Sequence, residues 1–321
     1  MTLRQTITWI LTICALAVMD GIEPLVAQQT VKPGLTGRWD VTVKSADGAT
    51  FPSWLEFEKS GRKTIVGRYV GQFGSARPIS EVVVNGDNFQ FVVPPQWEGG
   101  SQNIQIKGSL QGNLLQGELT GSQGEVLSWT AERAPALDHA SPTAWGTPIN
   151  LIPKEGLAGW KPQFPKANNG WQVIDGILTN AKPGNNLLTE QTFEDFQLLA
   201  EFRYPKGSNS GIYLRGRYEV QIEDHSGKAI DSHNIGGVYG FLTPSDNAAL
   251  GPDQWQKLEV TLVGRRVTVV LNGTRVIDRQ LIPGITGGAL DSHESEPGPL
   301  MLQGDHGPVE FRQLLITPAA R

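Results

Sequence analysis

Short runs in which apolar and polar side chains alternate, each closed by a glycine-bearing turn, constrain this chain more than any other feature. Trp39, Val41 and Val43 alternate with polar residues. So do Leu55 and Phe57, then Phe89, Phe91 and Val93, then Ile104 and Ile106, then Leu115 and Leu119. Asp47-Gly48, Ser60-Gly61, Asn85-Gly86 and Gly112-Asn113 punctuate them. A period of two sends successive side chains to opposite faces of a strand. Runs this short, broken this often, predict an all-β chain. Long helix-period stretches are hard to find, and 38 glycines and 21 prolines in 321 residues suit many turns. Over 35–134 the spacing predicts a small antiparallel β-barrel or sandwich, an accessory domain in which catalytic residue types do not gather.

Residues 135–148, PALDHASPTAWGTP, read as a linker, with His139 a solvated loop residue. Alternation resumes over 149–319. One strand sets Phe196, Leu198, Ala200, Phe202 and Tyr204 against Gln197, Leu199, Glu201 and Arg203. SNSGIYLRGRYEVQIED, residues 208–224, splits into an apolar set (Ile212, Leu214, Tyr218, Val220, Ile222) and a polar set (Tyr213, Arg215, Glu219, Gln221, Glu223). Asn272-Gly273 marks a type I′ hairpin. The block predicts a two-sheet sandwich of the jelly-roll kind.

The N-terminus carries Arg4, an apolar run from Ile7 to Met19, and Leu25-Val26-Ala27. The run is short for a bilayer span, and the pattern predicts a secretory signal over 1–27. The mature protein is then expected in the periplasm or outside the cell, with no membrane insertion after cleavage. Cys14, the one cysteine, lies inside that segment, so the mature chain must do without disulfides. A net charge of −5 with no basic run argues against nucleic acid as a partner.

In the second block the ordered segments GW at 159–160, NGWQVIDGILT, FEDFQLLAEFRYP, GSNSGIYLRGRYEVQIED, GGVYG at 236–240, DQWQKLEVTLVGRRVTVVLNG and PGPLMLQGDHGPVEFRQLLI cover nearly all of 149–319. In order and spacing this set resembles the 3-keto-disaccharide hydrolase domain family. The resemblance implies a concanavalin-like jelly roll whose concave face holds a saccharide. It also implies substrates with a ketone at C3 of the sugar, made beforehand by a separate sugar 3-oxidoreductase. Such a ketone acidifies the neighbouring C2–H. Proton removal, elimination of the C1 substituent and addition of water then amount to hydrolysis, given a base, an enolate stabiliser and an acid.

From strand pattern alone, Glu201, Arg203, Arg215 and Glu219 also suit exposed cross-strand ion pairs. With the resemblance, the polar face becomes the sugar-binding face. Glu219 and Glu201 are then candidate acid–base residues, as is His306 of LQGDHGP, whose ordinary pKa lies near working pH. Arg203, Tyr213, Arg215, Gln221, Gln303 and Asp305 are candidate substrate-binding residues. No cofactor is expected. Asp224, His225, Asp231 and His233, like Asp291, His293, Glu294 and Glu296, match no zinc spacing and read as polar loops, although a divalent ion bridging them to the enolate oxygen is conceivable. The competing functions are a non-catalytic, lectin-like carbohydrate-binding protein and an ordinary glycoside hydrolase with two flanking carboxylates.

Overall fold

The computed structural model describes residues 34–225 and 227–320; the expected signal segment lies outside them. The first nine strands are β1 (Gly37–Lys44), β2 (Thr50–Ser60), β3 (Thr64–Val70), β4 (Arg77–Ile79), β5 (Val83–Asn85), β6 (Asn88–Val93), β7 (Ile104–Gln111), β8 (Leu114–Thr120) and β9 (Val126–Arg133). They make one antiparallel sheet in the order β4-β3-β2-β1-β9-β8-β7-β6-β5. Pairing of β1 with β9 carries the chain order round the sheet as in an up-and-down barrel, and β4 comes to lie near β6. The inward residues of the alternating runs fill it, with Phe57 edge-on to Phe89 and Phe91 at centroid separations of 5.5 and 5.6 Å.

The second domain contains β10 (Ile149–Asn150), β11 (Trp160–Pro162), β12 (Trp171–Ile174), β13 (Ile177–Asn180), β14 (Leu187–Phe193), β15 (Phe196–Arg203), β16 (Asn209–Leu214), β17 (Tyr218–Glu223), β18 (Gln256–Val263), β19 (Arg266–Leu271), β20 (Thr274–Leu281), β21 (Gly298–Leu302) and β22 (Val309–Pro318). One sheet runs β12-β13-β22-β15-β18-β19-β20, with β10 on β22; the other runs β11-β14-β21-β16-β17. Phe196, Leu198, Ala200 and Phe202 from the first share a buried core with Ile212, Leu214, Tyr218, Val220 and Ile222 from the second. The architecture is the all-β jelly-roll sandwich behind a small antiparallel β-domain that the alternation implies. Asn272 and Gly273 take φ of 50° and 84°, as a type I′ turn requires.

On the polar face of the five-stranded sheet Tyr213, Glu219 and Gln221 are buried. The first domain faces it across a cleft. Residues 135–148 run as a strap along the second domain. The Arg265 Nε donates to the Ala136 carbonyl at 3.1 Å, the Arg265 amide donates to Leu137 at 3.1 Å, and the Gly146 amide donates to Pro318 at 2.8 Å. Across the domain boundary the Gly288 amide donates to the Gln72 carbonyl at 2.8 Å, and Ser75 Oγ lies 2.5 Å from His233 Nε2. Trp54, on β2, is fully buried in the second domain's core, edge-on to Phe241 at 5.5 Å.

A carboxyl pair also sits at this boundary. Burial and the neighbouring Glu294 raise Asp40 from the ordinary 3.8 to about 9. Glu294 is fully buried; it accepts from the Tyr218 hydroxyl at 2.5 Å and lies 3.6 Å from Arg38. The folded state therefore favours a proton on Asp40. The stability it confers is complete below about pH 4 and is lost as pH rises through about 9. Asp40→Asn removes this titration. Its melting temperature is expected to exceed wild type at pH 9, with the gap closing toward pH 4. Parallel melting curves across that range would refute the assignment.

Candidate active site

The β16–β17 hairpin builds the centre of the site. Arg215 and Gly216, with φ of 53° and 66°, and Arg217 form its three-residue connection, in which the Arg217 amide donates to the Leu214 carbonyl at 3.1 Å. The register pairs Tyr213 with Glu219 and Gly211 with Gln221 on the face away from the sandwich core. That face forms the floor of a cleft of about 650 Å³ between the two domains. Gln303, Asp305 and His306 after β21 line one part of it, and Thr50, Phe51, Gln72, Phe73 and Trp97 of the first domain line another. A larger depression, about 790 Å³, lies on the first domain around Lys107, Gln116 and Glu118, but these are exposed side chains.

Glu219 is 3 % exposed. Burial drives its carboxyl from the ordinary 4.5 up to about 8, against the opposing pull of the Tyr213 hydrogen bond and of His306. Desolvation alone disfavours a charged carboxylate. The Tyr213 hydroxyl lies 2.9 Å from both Glu219 Oε2 and the Gly287 carbonyl. One phenolic proton cannot serve two acceptors at once. When it goes to Gly287, the Glu219–Tyr213 contact needs the proton on Glu219. Two glycines make room for this pair. A Cβ on Gly211 would collide with Glu219 Oε1, and one on Gly288 would stand 2.6 Å from the Tyr213 oxygen.

Among the described residues lining the cleft, His306 is the one basic side chain. It is half exposed, and its Nδ1 lies 2.7 Å from Asp305 Oδ1. That hydrogen bond, reinforced by the charges of Asp305 and Glu219, raises its pKa above 6.5. Asn209 Oδ1 and Gln303 Oε1 are buried at the cleft without a partner among the described residues. Buried acceptors without partners are costly and suit ligand hydroxyls. Gln221 holds its own oxygen on the Ile222 amide at 3.0 Å, which directs the role of its NH₂ toward donation.

Of the nine site residues expected from sequence, six line the cleft: Tyr213, Glu219, Gln221, Gln303, Asp305 and His306. Three do not. Glu201 and Arg203 lie on β15, in the opposite sheet, on its outer face. There Arg312 donates to Glu201 at 2.7 Å, and Arg203 bonds Glu310 and lies over Trp255. Arg215 belongs to the hairpin turn. Its positive φ breaks the alternation and turns the guanidinium to the Tyr218 hydroxyl at 3.1 Å and the Gly264 carbonyl at 3.0 Å. Glu201→Gln and Arg203→Ala are expected to leave turnover within about threefold of wild type, since exposed ion pairs contribute little. A loss of about 100-fold in either variant, the scale of a lost acid or base, would bring β15 back into the site. Asp291 pairs with Arg217 at 2.6 Å and Glu294 belongs to the domain boundary, so neither is left to a metal. Among the described residues no group of three or more metal-ligating side chains forms. Trp160 and Trp171 are core residues. Sequence patterning missed Asn209, which continues the face of Gly211 and Tyr213, and Tyr239, Phe73, Trp97 and Phe164, which lie outside that alternation.

The 3-keto-alpha-glucoside-1,2-lyase-like domain family model matches residues 147–317, more than half of the chain. The chain belongs to this family. Membership in the lyase-like family makes the protein carbohydrate-active, of hydrolase or lyase type. A Parabacteroides distasonis protein provisionally described as a glycosyl hydrolase is 25% identical, covering 56% of this chain and 93% of its own, with a TM-score of 0.45. A second from the same organism, described in the same way, is 18% identical over 54% and 94%, with a TM-score of 0.43. A carbohydrate-binding module from Bacillus subtilis is 12% identical over 50% and 92%, with a TM-score of 0.31. No curated protein matches this member of the family.

Proposed function

We propose that the protein is an exported enzyme that cleaves 3-keto-glycosides, 3-keto-disaccharides included, by elimination and hydration in the cleft between its domains. The observation that carries this reading is a buried carboxyl with a pKa of about 8 sharing a cleft with an Asp-linked histidine. His306 in its neutral form takes the C2 proton. The C–H electrons form the C2–C3 enolate. Collapse of the enolate breaks the C1–O bond, and Glu219 passes its proton to the departing oxygen. Water then adds at C1 while C2 regains a proton. Amide NH₂ groups of Gln221, Gln303 and Asn209 supply donors for the enolate and ring oxygens, in the place that Arg203 and Arg215 were expected to fill. The ketone must come from an oxidoreductase acting at C3. No step calls for a cofactor on this protein, and the signal pattern over 1–27 supports a periplasmic or secreted location.

Activity then needs neutral His306 and protonated Glu219. The rate is expected to rise with pH through a value above 6.5 and to fall again near 8. A profile that rises without a break to about pH 10 would remove Glu219 as the acid. The substrate class is tested by incubating purified protein with a 3-keto-disaccharide and with its unoxidised parent. Cleavage of the ketone alone is expected. Equal cleavage of both would mean an ordinary glycosidase, and tight binding without turnover of either would mean a lectin-like protein.

A further inference from the structure

Three aromatic rings stand out of the protein at the cleft: Phe73 is 54%, Trp97 70% and Phe164 59% exposed. Their backbones are nevertheless fixed. The Gln96 and Trp97 amides donate to Glu98 at 2.7 and 3.1 Å, and Glu98 is held by the buried Arg77 at 2.7 Å. The Trp97 side chain adjoins the Tyr239 phenol, which lines the same cleft. Asn185 grips the Phe164 backbone at both ends, accepting from its amide at 3.1 Å and donating to its carbonyl at 2.6 Å. Phe73 follows Gln72, whose carbonyl is held by Gly288. Rings exposed on a fixed frame, on several sides of one cleft, mark a ligand surface.

The cleft also continues into the first domain. Phe51, Gln72, Phe73 and Trp97 line a second hollow of about 240 Å³, walled by Tyr69, Ile104, Leu119 and Leu127 at the mouth of the barrel. The carboxylates at its rim are engaged, Glu98 with Arg77 and Glu125 with the Gln123 amide at 3.0 Å. Apart from Gln72 and the Tyr69 phenol, the side chains that remain are apolar. A second sugar would bring hydroxyls with few partners here, whereas a flat apolar ring matches both the aromatic rim and the apolar hollow.

We propose that the first domain is the leaving-group subsite, and that it selects 3-keto-glycosides whose aglycone is an aromatic ring over those whose leaving group is a second sugar. The proposal rests on the cleavage reading above for the position of the sugar between Glu219 and His306. The test is a binding measurement, so it stands apart from turnover. Calorimetric titration of the full chain with phenyl α-glucoside and with maltose, each unoxidised and 3-keto, is expected to show the aryl glycoside binding about tenfold tighter or more. Trp97→Ala and Phe73→Ala should each cut that preference by about tenfold while the melting temperature holds, and Trp97→Phe should restore part of it. Selective aryl binding with no turnover of any 3-keto substrate would strike down the cleavage reading and leave the subsite standing. Maltose binding as tightly as the aryl glycoside, or variants that weaken both ligands equally, would overturn the subsite.

Discussion

Glu219→Gln and His306→Ala should each lower kcat on a 3-keto-glycoside by about 100-fold or more, the scale of a lost acid or base. Each should also remove one limb of the pH profile. Without Glu219 the fall near pH 8 should vanish, because the group that burial holds at that value is gone. Without His306 the rise at lower pH should vanish. Neither loss should come from unfolding. Glu219 is a buried acid whose folded pKa is raised, so its contribution to stability is present below about 4.5 and is lost as pH rises through about 8. Glu219→Gln puts a neutral amide in this place and is therefore expected to raise the melting temperature at about pH 9. An inactive Glu219→Gln protein that melts far below wild type would point to a structural role instead. Full activity in either variant would take that residue out of the mechanism.

Trp54→Ala is expected to destabilise the whole protein by about 3–5 kcal/mol, the usual cost of removing a buried large aromatic. Trp54 belongs to the first domain by sequence but is fully buried in the second domain's core. A Cβ on Gly284 would collide with its ring, so that glycine is the seat of the indole. The indole nitrogen has no partner among the described residues, so the loss is one of packing, not of a hydrogen bond. Strand β2 begins with Thr50, Phe51 and Pro52, which line the cleft. Loosening Trp54 should therefore lower activity as well as the urea midpoint. A loss under about 1 kcal/mol would mean that the two domains do not share a core.

Much of this architecture was open to reading from the alternation alone. Ile212, Leu214, Tyr218, Val220 and Ile222 go to the core as their period demands, and Tyr213, Glu219 and Gln221 share the other face. Period two tells which side chains share a face of one strand; it does not tell which sheet the strand joins. Glu201 and Arg203 have the same pattern as Glu219 and Gln221, yet β15 pairs with β18 and β22 in the opposite sheet. Arg215 fits the alternation in number only, because the hairpin turn reverses the chain at that residue. The burial of the polar face could not be read either. Segments distant in sequence stand round it, Gly287 and Gly288 and the first domain's Gln72, Phe73 and Trp97, and loops of that kind carry no periodicity. That burial raises the pKa of the Glu219 carboxyl.

Reaction of a 3-keto-disaccharide in heavy water, with analysis of the released sugar, tests the proton transfer at C2 most directly. One deuterium at C2, gained at the rate of bond cleavage and absent in parallel incubations with His306→Ala and without protein, is the result that elimination and hydration predict. Cleavage without deuterium at C2, at a rate matched by the unoxidised disaccharide, would contradict it.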